Sequence, residues 1–97
     1  MNPQLEKEFD QALMIVLDAH ADPEFGLATM AIQPLLAGHG FRGAKERDIE
    51  RRLAYLADPQ IEFVRKCGRG DFHANIKTWC LTARGQNHIR ELTGGEP

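Results

Sequence analysis

The chain has 97 residues, 42% of them hydrophobic and 27% charged, with a formal net charge of −2. This is the composition of one globular domain, and it excludes general disorder, collagen and a long coiled coil. The longest mostly apolar run, Ala12 to Leu17, is six residues, against the roughly 20 that a bilayer-crossing helix needs.

No basic segment feeds an apolar one at the N-terminus, so the expectation is a cytoplasmic protein with no membrane partner. Cys67 and Cys80 are too few for a disulfide framework and read as thiols. The total charge conceals a gradient. Residues 1–31 set Lys7 against Glu6, Glu8, Asp10, Asp18, Asp22 and Glu24, whereas residues 42–77 carry nine basic groups against six acidic ones. A basic middle behind an acidic front matters more to a polyanionic partner than the sum does.

Leu5, Phe9, Ala12, Leu13, Val16, Leu17 and His20 recur at spacings of three and four, which predicts a helix from about residue 4 to 20 with these residues on one face. Pro3 suits its start, and Asp22-Pro23 with Gly26 marks its end. The acidic residues of its first turns are favoured there by the helix dipole. Leu27, Met30, Ala31 and Leu35 predict a shorter second helix, in which Pro34 either opens a final turn or bends the axis. Gly38, Gly40 and Gly43 then make a turn from which Phe41 returns its ring to the core. From Ala44 the helical period resumes. Ile49, Leu53 and Leu56 form its inner stripe, Tyr55 and Ala57 lie on the margins, and a 100° step places Arg47, Arg51 and Ala54 outward. Asp58-Pro59 stops this helix.

The period then changes. Residues 61–66 and 75–81 alternate as two strands of a hairpin, with Trp79 and Leu81 on one face and Ile76, Thr78 and Cys80 on the other. Thr82 caps a final helix whose inward residues are Ile89 and Leu92, while Gly85 weakens its first turn but permits close approach. The expected class is α+β and mainly helical, in the order helix, helix, helix, strand, strand, helix, with room for one further short strand. A single domain spans 1–97, with flexible ends at 1–3 and 94–97.

No chemistry of an enzyme is visible. Cys67, His73 and Cys80 lack the paired spacing and fourth ligand of a zinc site. The run from Gly38 to Gly43 lacks the Gly-Lys-Ser/Thr ending of a phosphate loop. No nucleophile, base and orienting group converge, and His20 reads as a packed residue. The expectation is a non-enzymatic protein with no cofactor and no metal.

Two segments carry a family resemblance. Trp79-Cys80-Leu81-Thr82-Ala83-Arg84-Gly85 resembles the aromatic-x-Leu-Thr-x-x-Gly junction between the second wing strand and the last helix of winged helix-turn-helix proteins. Ile49 to Leu56, followed by Ala57-Asp58-Pro59, resembles their recognition helix and its link to the wing. The resemblance spans roughly residues 5 to 92. It implies double-stranded DNA as the partner, with the third helix in the major groove and the wing on the backbone. Carried onto this sequence, it implies contacts from Lys45, Arg47 and Arg51 on the helix, Arg42 before it, and Arg65, Lys66 and Arg69 in the wing. Arg52 and Lys77 complete the basic set.

Glu46, Asp48 and Glu50 share the third helix and repel phosphate. They support the alternative of a winged helix used for protein contacts or dimerisation. Leu5, Phe9 and Ile89 to Leu92 are candidate residues for a homodimer contact, and Phe72 is a candidate exposed aromatic at the hairpin loop.

Overall fold

A computed structural model of the chain describes residues 2–67 and 77–94. The Asn2 side chain accepts the Leu5 N–H at 2.7 Å, Pro3 occupies a first-turn position where no N–H is required, and α1 runs Pro3–His20. Its buried residues are Phe9, Ala12, Leu13, Met14, Val16 and Leu17. The inner face is therefore wider than the predicted stripe and shorter at both ends. Met14 is enclosed because α1 packs against α2 (Thr29–Ala37), α3 (Glu46–Leu56), β3 (Thr78–Leu81) and α4 (Ala83–Leu92). Leu5 and His20, expected to face inward, are exposed because they lie beyond that covered length.

After α1, the Asp22 carboxylate accepts the N–H groups of Glu24 and Phe25 at 2.8 and 2.6 Å. Gly26, at φ +74°, donates its N–H to the Asp22 carbonyl at 2.8 Å, a left-handed turn suited to glycine. The chain leaves this turn extended. Leu27–Ala28 form β1 and pair antiparallel with Trp79 and Thr78, which corrects the expectation that residue 27 lies in a helix. α2 begins at Thr29, and the later start shifts its phase. Ile32 and Leu36 reach the core together with Thr29, while Met30, predicted inward, is 70% exposed. Pro34 sits within this helix and forgoes the bond its nitrogen would make to the Met30 carbonyl. The Phe41 ring meets Phe9 edge-on at 5.1 Å, as its return to the core requires.

Ile49, Leu53 and Leu56 are the buried residues of α3, as predicted. Beyond Asp58, Glu62 takes a positive φ of 53°, and the Phe63 N–H bonds to the Leu56 carbonyl at 3.0 Å. This turn delivers the chain into β2, Val64–Cys67. Among the described residues the fold is a mostly helical α+β domain. It has four helices and a three-stranded antiparallel sheet of order β1-β3-β2, in which β1 is the further short strand.

Thr82 caps α4 by accepting the Gly85 N–H at 3.0 Å. Gly85 is buried, and a Cβ at that position would overlap the Phe63 carbonyl oxygen. Glycine here is a packing requirement that outweighs its poor helix propensity. Ile89 is buried as predicted, but Leu92 is 43% exposed at the last turn. Hydrogen bonds reach from Asn2 at one end to Gly94 at the other; Met1 and residues 95–97, included in the expected flexible ends, lie outside the described residues. No described helix is long and apolar enough to cross a membrane.

Gly85→Ala is expected to lower the unfolding free energy by about 1–3 kcal/mol through overpacking. The denaturant midpoint measures this, and Gly43→Ala, where a Cβ meets open space, is expected to leave the midpoint nearly unchanged.

Candidate nucleic-acid interface

The outward strip of α3 is as the helical period dictates. Arg47, Arg51 and Ala54 are exposed, Lys45 is exposed at the N-cap, and Arg42 is exposed on the preceding turn. Arg42 rims an open groove of about 280 Å³ with Leu5, Phe9, Phe41, Ala44 and Asp48. The hairpin divides its cations between two faces. Lys66 stands opposite Trp79 and so shares that residue's side of the sheet, whereas Arg65 stands opposite Cys80 on the other side. Lys77 is turned toward α3, with Nζ 3.9 Å from Glu50 Oε1. Arg65 turns away, and its Nη2 donates to the Pro23 carbonyl at 3.4 Å. Arg69, with Phe72 and His73, lies outside the described residues.

Arg52 does not join this surface. Its Nε and Nη2 donate to the two carboxylate oxygens of Asp10 at 2.9 and 2.6 Å. Nη1 lies 3.3 Å from Glu6 Oε2, and the guanidinium covers the Tyr55 ring at 4.4 Å. Both side chains of the Arg52–Asp10 pair are only 14% exposed. The Asp10 hydrogen bond raises the Arg52 pKa above the ordinary arginine value against the opposing effect of burial. The residue remains a cation, but it is a neutralised one that clamps α3 to α1. This corrects its place among the candidate contacts: it follows Arg51 in sequence, yet its direction 100° further around the helix faces two carboxylates of the first helix.

The acidic residues of α3 are likewise accounted for. Glu46 is in the first turn, where the helix dipole favours it. Asp48 pairs with Arg51 at 3.7 Å across exposed surface, a contact worth little in water. Glu50, half-buried on the flank of α3, reaches inward. The Trp79 indole N–H donates to Thr29 Oγ1 at 3.1 Å, and the Thr29 hydroxyl donates to Glu50 Oε2 at 3.3 Å. A polar chain thereby joins the central strand, the start of α2 and the flank of α3. No local periodicity in the sequence marks this chain of contacts. The signal available was the solitary tryptophan, which needs an acceptor for its N–H when buried.

Among the described residues no group of three or more His, Cys, Asp or Glu side chains is placed to hold a metal. Cys67 and Cys80 are free thiols. Comparison with models of protein families, with curated proteins and with solved structures finds no match to this chain.

Asp10→Ala is expected to cost about 1.5–3 kcal/mol of stability by stranding the guanidinium, and Arg52→Ala added to it is expected to cost less than in the wild-type background; a double-mutant cycle in urea measures the coupling. Thr29→Val is expected to cost about 1–2 kcal/mol and to change the tryptophan fluorescence of the folded state, since it removes the indole's acceptor. Thr29→Ser restores both if the hydroxyl is the cause.

Proposed function

We propose that this chain is a winged-helix DNA-binding protein, a small transcriptional regulator or phage-like accessory protein, in which α3 enters the major groove and the β2–β3 hairpin lies against the phosphate backbone. The element order, with a short β1 between α1 and α2 and a sheet of order β1-β3-β2, supports this layout. The observation that carries the reading is the sorting of charge around α3. Arg47 and Arg51 project outward, Lys45 and Arg42 precede them, Lys77 reaches α3 from the hairpin at Glu50, and Lys66 lies on the Trp79 side of the sheet. Glu50 is engaged with Thr29 on one margin, and Asp48 pairs with Arg51 on the other.

A major groove about 12 Å wide admits a helix of this size, and an arginine fork matches guanine O6 and N7 or a phosphate equally well. Arg47 and Arg51, one turn apart, are the candidates for base contact. Arg42, Lys45, Lys66 and Lys77 are candidates for the phosphates, which position the domain and supply most of the affinity. Arg65 reaches the opposite face of the sheet and has no part in this surface. A homodimer would present two such helices to an extended site.

Changing Arg47 and Arg51 together to alanine is expected to weaken binding to duplex DNA at least tenfold, at about 1–3 kcal/mol per lost arginine contact. The log–log salt slope is expected to become shallower by about 2 if both meet phosphate. The circular-dichroism spectrum should be unchanged, because both side chains are exposed. Fluorescence anisotropy on a labelled duplex measures affinity and slope together. An unchanged dissociation constant removes α3 from the interface, and a wild-type domain that ignores duplex DNA while self-associating or recovering a protein partner supports a protein-contact module instead.

A further inference from the structure

The two cysteines, unused by the proposed interface, occupy one neighbourhood. Cys67 ends β2 opposite Thr78, and Cys80 lies two residues further along β3, so the pair is diagonal on a single face of the hairpin. That face is away from Trp79 and is overlaid by the turn before β1. The Cys67 sulfur occupies the space that a Cβ on Gly26 would fill. Cys80 is buried and Cys67 is half-buried, and both side chains leave the hairpin on the same side. Arg65, opposite Cys80, is the cation on the same face.

We propose that Cys67 and Cys80 form an oxidisable dithiol, a site at which an oxidant of the peroxide class converts the pair to an intramolecular disulfide at the root of the hairpin. The order of events follows from accessibility. Cys67 is half-buried at the end of β2 whereas Cys80 is buried, so the first attack falls to Cys67, and burial also pushes the Cys80 thiol up to about 12. The Cys67 thiolate attacks one peroxide oxygen. The O–O bond breaks, one oxygen leaves as water after taking up a proton, and Cys67 becomes a sulfenic acid. The Cys80 sulfur then attacks the Cys67 sulfur, the S–O bond breaks, and the departing hydroxide takes the Cys80 proton as a second water. The two thiols lose two electrons, and the peroxide gains them.

The diagonal placement sets the character of the bond. Diagonal neighbours in an antiparallel pair lie about 7–8 Å apart at Cα, while disulfides favour about 4.4–6.8 Å. Oxidation therefore tightens the end of β2 against β3. Such a bond is more easily reduced than a relaxed structural one, and it reverses under mild thiol reductants.

The test uses the whole chain, treated with equimolar hydrogen peroxide and analysed by intact mass and by maleimide tagging after denaturation. The expected product is a monomer lighter by two hydrogens, with both thiols lost and both restored by dithiothreitol. In Cys80→Ser the sulfenic acid on Cys67 is expected to persist and to be trapped by dimedone; in Cys67→Ser, which leaves the buried position intact, peroxide is expected to leave Cys80 unmodified over the same time. The proposal is overturned by a disulfide-linked dimer, by a wild-type product that carries dimedone, or by thiols that survive treatment. None of these outcomes depends on whether the domain binds DNA.

Discussion

Burying Trp79 in β3 requires an acceptor for its indole N–H, and the placement of α2 and α3 follows from how that acceptor is supplied. A tryptophan in the middle strand of a three-stranded sheet supplies the largest apolar face available to so small a core, but its indole N–H cannot be left without an acceptor. Thr29 provides it, and that fixes where α2 must start. Leu27 and Ala28 are then held as a strand beside Trp79 and Thr78, and Ile32 and Leu36 become the inward residues of α2. Because the Thr29 hydroxyl also reaches Glu50, the same side chain sets the flank of α3 against the sheet. The outward direction of Arg47 and Arg51 follows from that placement.

A second constraint acts through charge. The acidic front of the sequence is not all presented to solvent as repulsion, since Glu6 and Asp10 close on Arg52. This ion pair subtracts one cation from the basic middle and two anions from the front. It makes α1 and α3 a single unit, so that an exposed arginine on α3 is carried on a braced helix. On the proposed reading, that bracing is what allows a domain with a net charge of −2 to present a local cationic surface. Like-charge acids on the same helix are tolerable when one of them accepts a part-buried hydrogen bond and another sits at the helix N-terminus.

Much of this was legible in the sequence wherever a long periodic pattern carried it. α1, the inner stripe of α3, the hairpin, and the Thr82 cap with its close-packed Gly85 all have local causes. What escaped has non-local causes. β1 is two residues long and exists because β3 pairs with it, so no period announces it, and a helical period begun at Leu27 points Met30 inward where the structure exposes it. Leu5, His20 and Leu92 continue apolar or marginal stripes past the length that neighbouring elements cover. Adjacency in sequence joins Arg52 to Arg51 but hides a 100° turn between them, and the Arg52 partner lies 42 residues earlier. Arg65 and Lys66 show the same effect at the period of a strand, where one step sends a side chain to the opposite face.

On the proposed reading, one face, formed by the outer side of α3 with the cations at the root of the hairpin, meets duplex DNA. Backbone amide chemical shifts of the isotopically labelled protein, followed during titration with a short duplex, test it most directly. The largest changes are expected on Arg42, Lys45 to Arg51, Lys66 and Lys77, while the exposed residues of α1 and Arg65 remain still and added salt reverses the shifts. Changes centred on α1 or on Phe25 to Met30, or no change in the presence of excess duplex, would contradict it.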